Sequence, residues 1–301
     1  DPTSYIRHFW NSSHNFVREK NLYREIVQHI KKPADASAFL SDLESHAQFY
    51  HDIAFPEENG SLASEPLVAC LKNLKTLKAK TFYPILLAMK QSKEDYKESD
   101  ILLVATAIET YVFRNFTICG KVANIGERVF AKIALRIYDD LTSASAICTE
   151  IKRAAVQDAE FTAAFEVWSS TNKDIIRYIL RKLNWVLDSN HELNLNNNEV
   201  HIEHIMPIDN SKWNIPEELH SEYLWRLGNL TLLSGKLNVQ ASNEVFSTKV
   251  SEYSKSKVEL THSLCSITEG TSRTTWNVPD DIEARQKFLA QKALACWPVA
   301  E

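Results

Sequence analysis

Through the first two thirds of the chain the apolar residues fall at three- and four-residue steps, as in Phe39, Leu40, Leu43, Ala47 and Tyr50. That is the stripe of a helix laid against a core. The stripe persists from Ser4 to about Asn190, so this part of the chain is expected to be all-helical. Breaks are read at Pro33, from Pro56 to Gly60, at Pro66, in the polar run Lys93 to Asp100, and at Gly120 as a C-terminal cap. They divide the segment into roughly seven or eight helices.

The longest apolar run, Ile101 to Cys119, is interrupted by Glu109, Arg114 and Asn115. Two charges and an amide are costly in hydrocarbon, so the run reads as a buried helix and not a membrane span. Seven Trp with only six Gly and nine Pro fit a globular protein. The five cysteines are scattered without a C-x-x-C pair, which signals neither a zinc knot nor a disulfide framework and points to a reducing, cytoplasmic setting. The opening residues lack the basic and apolar regions of a secretory leader. Because the first residue is Asp1 and not Met, the sequence is read as a piece of a longer chain.

The composition changes at Ser189 to Asn198 (SNHELNLNNN), rich in Asn and poor in apolar residues, and a boundary is expected there, with units 1–190 and 191–301. Beyond it Val200, Ile202 and His204 alternate with His201, Glu203 and Ile205 at period two, and Pro207 ends the run as it would a strand. A second strand is expected at Leu227 to Leu233. Val245, Phe246, Val250 and Tyr253 then return to helical spacing, with Ser242 or Asn243 as the N-cap. A final amphipathic helix runs from Asp280-Asp281-Ile282 to Trp297, with Trp276 and Trp297 read as core. The expected fold is therefore mainly α, a helical domain followed by a small α+β unit.

Glu203-His204 stands at the end of the first strand, where neighbouring side chains project to opposite sides. By type alone such a histidine is most often a hydrogen-bonded surface or core residue. The surroundings change its weight: Glu203-His204-Ile205-Met206-Pro207, Trp213, Leu227-Gly228-Asn229-Leu230-Thr231-Leu232-Leu233, Asn238, Ser242-Asn243, Phe246, Lys249 and Tyr253. This spaced pattern resembles the C-terminal domain family of the GmrSD modification-dependent restriction endonucleases, a branch of the HNH or His-Me finger nucleases with a ββα-metal core. The stretch Tyr111 to Gly120, followed by Ile125 to Ala134, is similar to the helical segment that precedes the nuclease in that family.

The resemblance implies that His204 is a general base for phosphodiester hydrolysis, that Glu203 and Asn238 bind one divalent ion, and that Asn229 pins the loop around His204. Asn243 is a second candidate for the place of Asn238. Carboxylate and amide oxygens suit Mg²⁺ or Mn²⁺. His201 reads as a solvent-facing strand histidine.

A net charge of −5 argues against gripping nucleic acid by bulk electrostatics, so any DNA contact has to be local. Lys236, Lys249, Arg226 and Lys255 flank the motif and are the candidates for it. Arg285 is open between a DNA phosphate and a carboxylate partner. The resemblance further implies a DNA endonuclease or nickase of a bacterial anti-phage or modification-dependent restriction system. Its expected partners are double-stranded DNA, phage or modified, a ParB-like nucleotide-handling domain elsewhere in the parent chain, and a second copy of the chain. No Gly-rich phosphate loop stands in this sequence. The competing reading is a catalytically inactive HNH-fold module that binds DNA or protein.

Overall fold

A computed structural model describes residues 1–58, 60, 62–188, 195, 200–268 and 271–299. Among these residues the chain forms fifteen α-helices and two small antiparallel sheets, and it divides into two compact units, 1–156 with 299–301, and 157–298. The architecture is mainly helical, as the periodicity predicts.

The first unit consists of α1 (Pro2–Ser13), α2 (Glu19–His29), α3 (Pro33–Ala54), α4 (Glu65–Thr76), α5 (Tyr83–Gln91), α6 (Glu98–Val112), α7 (Ala123–Arg136) and α8 (Ala144–Ala154). Helix α6 continues into a π-helical turn, Phe113–Ile118, and Gly120 takes a positive φ of 59° just beyond, in the left-handed region a C-terminal cap requires. By length and composition Glu98–Ile118 is apolar enough to cross a membrane. Here it packs within the unit against α4 and α8, and its charges have protein partners. Glu109 accepts from Cys70 Sγ and Asn73 Nδ2, and Arg114 Nη1 donates to the Val156 carbonyl at 2.7 Å.

The second unit opens with α9 (Asp158–Val167) and α10 (Lys173–Leu187), continues through β1 (Val200–His204), α11 (Glu217–Tyr223), a 3-10 turn (Leu227–Asn229), β2 (Leu230–Ser234), α12 (Gly235–Ala241), α13 (Phe246–Tyr253) and α14 (Glu259–His262), and ends with β3 (Ser266–Thr268), β4 (Thr271–Ser272) and α15 (Asp280–Cys296). Strands β1 and β2 pair antiparallel, with His204 opposite Leu230 and Glu203 opposite Thr231. Ile205, Met206, Leu233, Phe246, Tyr253, Trp276 and Ile282 form one buried cluster beside this sheet. Helix α15 packs on α9, α10 and the Leu227–Asn229 turn. Trp276 and Trp297 are core residues, the latter donating from Nε1 to the Tyr178 hydroxyl at 2.8 Å.

Three expectations are corrected. Up to residue 190 there are ten α-helices among the described residues, more than the seven or eight expected, because Ser143 and the Ala155–Gln157 stretch break the chain without proline or glycine. The boundary expected at 190 falls on an asparagine-rich segment that lies almost wholly outside the described residues, and by compactness the chain divides after Val156. The second strand begins at Leu230, since Leu227–Asn229 curl into the 3-10 turn. Neither Ser242 nor Asn243 caps α13, whose N-cap is Val245. A short helix not foreseen, α12, intervenes, and Ser242 closes it at a φ of 44°.

Candidate active site

The last two residues of β1 are buried polar groups, Glu203 at 5% exposure and His204 at 9%. Alternation along the strand sends them to opposite faces. Glu203 meets α13: Lys249 Nζ lies 2.8 Å from Glu203 Oε1 and 2.7 Å from the His204 carbonyl oxygen, and the Tyr253 hydroxyl donates to the same Oε1 at 2.8 Å. Lys249 is fully buried. Burial raises the Glu203 pKa and lowers that of Lys249, and the attraction between the two opposes both shifts.

The His204 ring packs T-shaped against Trp225, with centroids 4.7 Å apart. Its Nε2 is buried and has no hydrogen-bond partner among the described residues. Burial, with the positive charges of Lys249 and Lys173 behind it, lowers the imidazole pKa to about 4. The ring is therefore neutral at physiological pH, the state a proton acceptor needs.

Asn229 is fully buried and ties the backbone beyond His204 to the 3-10 turn. Its Oδ1 accepts from Met206 N at 2.7 Å, and its Nδ2 donates to the carbonyls of Met206 and Leu224 at 3.0 and 3.1 Å. The Asn229 carbonyl also accepts from Ile205 N at 2.9 Å. Gly228 is required here by close approach: a Cβ would lie 2.0 Å from the Ile282 carbonyl oxygen.

Two residues of α15 hold this turn from behind. Half-buried Arg285 donates from Nη1 to the carbonyls of Leu227, Gly228 and Leu230. That settles Arg285 as an internal brace in place of either partner expected for it. Gln286, fully buried and not foreseen, accepts from Gly228 N and Arg226 Nε and donates to the carbonyls of Phe165 and Trp168. Its helical register was a usable signal, since Ile282, Gln286, Leu289 and Ala293 fall on one face of α15.

The expected DNA-contacting cations separate into two groups. Lys249 is unreachable from solvent, and Arg226 is half-buried, donating to Gln286 and to the Glu166 carbonyl. Lys236 and Lys255 are exposed, the latter paired with Glu252 at 2.6 Å. His201 is exposed on β1, although it shares a strand face with buried Glu203.

A divalent cation finds no ready seat in this arrangement. The Glu203 oxygen nearest α13 already accepts from a buried ammonium and a buried phenol, and a second cation there would be repelled by the first. Asn238 lies on α12, half-buried, and offers only a neutral amide. No group of three His, Cys, Asp or Glu side chains converges among the described residues. The residues as placed do not fit a resident Mg²⁺ or Mn²⁺.

A small α+β unit whose sheet ends on a buried, neutral and unpartnered imidazole defines a candidate acid–base site. Residues 155–292, nearly the whole of this unit, match the family described as GmrSD restriction endonucleases, C-terminal domain. The match points to a nuclease with DNA as its substrate. No curated protein matches the chain.

Proposed function

We propose that the second unit is a DNA endonuclease or nickase in which His204 is the general base. The observation that carries this reading is the unpartnered, buried His204 Nε2. A buried acceptor without a donor costs about 1–3 kcal/mol, and such groups are kept where chemistry uses them. Nε2 takes a proton from water as its oxygen attacks the phosphorus, and the bond to the 3′ oxygen breaks. The departing oxygen gains a proton, leaving 5′-phosphate and 3′-hydroxyl ends. Asn229 serves as the positioning residue that fixes the backbone immediately after the base.

The divalent ion held by Glu203 and Asn238 remains an implication of the resemblance, and no step above passes through it. Defence against phage or modified DNA, a ParB-like domain in the parent chain, a cytoplasmic setting and a second copy of the chain belong to the same reading. The competing proposal, an inactive HNH-fold binding module, takes its support from Lys249 occupying the Glu203 carboxylate.

The test is nicking of supercoiled plasmid by the parent chain, His204→Ala and Asn229→Ala, each with Mg²⁺, with Mn²⁺ and with chelator. The nuclease reading expects nicking by the parent and a loss of at least 100-fold in His204→Ala, within the usual range of about 10²–10⁴ for a general base. Equal nicking by parent and His204→Ala removes the histidine from the mechanism. No nicking under any condition favours the binding module.

A further inference from the structure

We infer that the basic face of α10 is the path along which one DNA strand's phosphates approach His204, with Lys173 as its inner end; this rests on the nuclease reading above. Lys173, Arg177 and Arg181 stand four residues apart in α10 and so share one face, rising about 6 Å at each step. Two contacts place that face beside the site. Arg177 Nη1 donates to the carbonyl of Val200, the first residue of the strand that ends in His204. The residues leading into α10 run against the segment that carries Trp225: Ser169 bridges Arg226, and Ser170 N donates to the Trp225 carbonyl at 3.4 Å. Trp225 in turn packs on the His204 ring.

The chemistry selects a polyanion. Lys173 is exposed and has no carboxylate within ion-pair distance among the described residues, and its positive charge is felt at His204. Asp174 is the acidic neighbour in the same turn and offsets part of the charge at the helix start. In a chain of net charge −5, an ammonium left unpaired beside an unpartnered imidazole marks where local positive potential is kept. A phosphate held there would lie next to the base, and Arg177, with donors beyond the one given to Val200, would meet the strand further out.

The experiment uses the full chain carrying His204→Ala, so that DNA is bound without being cut, and a fluorescent 20-base-pair duplex followed by anisotropy over a series of salt concentrations. Lys173→Ala is expected to weaken binding several-fold and to flatten the slope of log K against log salt by about 1, and Lys173→Arg to restore both. Because Lys173 is exposed, these variants keep the fold, which circular dichroism verifies. If the parent binds the duplex and Lys173→Ala keeps the same slope, the path is wrong and the nuclease reading is untouched. If the parent binds no duplex and nicks no plasmid, both fall together.

Discussion

Lys249 and Glu203 form a buried ion pair, Nζ to Oε1 at 2.8 Å, and the same ammonium reaches the His204 carbonyl at 2.7 Å. One side chain of α13 thereby fixes both final residues of β1. A buried pair of this kind is worth little against an apolar replacement of both members, but breaking it leaves a charge in a medium that cannot solvate it.

Lys249→Met is therefore expected to destabilise the second unit by about 3–5 kcal/mol. Adding Glu203→Gln removes the orphaned charge, so the double variant should lose less than the sum of the two single losses. Denaturant unfolding of the four chains gives the coupling as a double-mutant cycle. Additive losses would mean that the two groups do not act as a pair.

Gly228 faces a different constraint. Its missing Cβ is what lets the Leu227–Asn229 turn rest on the start of α15, where the obstacle is the Ile282 carbonyl, part of the backbone and not a flexible side-chain tip. Gly228→Ala should destabilise by several kcal/mol, on the order of the worst overpacking substitutions, about 3 kcal/mol. It should also lower nicking more than global unfolding accounts for, because the turn carries Asn229. Activity measured well below the melting temperature separates the two effects.

In the first unit, acid sensitivity should centre on His8. The ring is buried, with Nδ1 at 3.0 Å from the Tyr50 hydroxyl and Nε2 at 3.3 Å from Arg7 Nη2. A guanidinium can only donate, so Nε2 accepts and the imidazole is neutral. Burial, then the Arg7 charge, lowers its pKa to about 3. The unfolded chain takes up this proton near pH 6.5 and the folded chain does not, so stability is lost as pH falls from about 7 towards 3. Between pH 6.5 and 5, above most carboxylate titrations, His8→Phe should reduce the pH dependence of unfolding by about half a proton at the upper end and about one at the lower, where the slope difference approaches about 1.4 kcal/mol per pH unit. An unchanged slope would place the buried-histidine effect elsewhere.

What the sequence made legible follows from the range of the physics involved. Strand β1 was readable because alternation and Pro207 are local, and the core tryptophans because large aromatic side chains leave water wherever they can. The division after Val156 was not, since α9 and α10 carry the same helical period as the helices before them and are drawn into the second unit by α15, more than a hundred residues on. Helix α12 is two turns long and begins at Gly235, too short and too weak a pattern to separate from a loop. Lys249 was read as a surface cation because lysines are rarely buried, yet Phe246, Lys249 and Tyr253 share one face of α13, and that register placed it inward. Its partner across the sheet is a matter of tertiary packing that spacing alone does not give.

Asn229 offers the sharpest test of whether the loop's geometry or only its packing matters. Two of its three side-chain bonds are donated by Nδ2 to carbonyl oxygens, and the third is accepted by Oδ1 from Met206 N. Asn229→Ala loses all three and leaves buried backbone groups unpaired, a cost of about 1–3 kcal/mol for each group left unsatisfied. Asn229→Asp is nearly isosteric, but at neutral pH it sets an acceptor oxygen against two carbonyls in a site with no solvent. It should therefore be at least as destabilising as Ala, and its stability relative to the parent should recover as pH falls and the carboxyl regains a proton that can be donated to one carbonyl. Parallel unfolding curves at pH 7.5 and pH 5 measure this directly. A tolerated Asn229→Asp at neutral pH, with nicking intact, would show that the amide donors are not what holds the backbone behind His204.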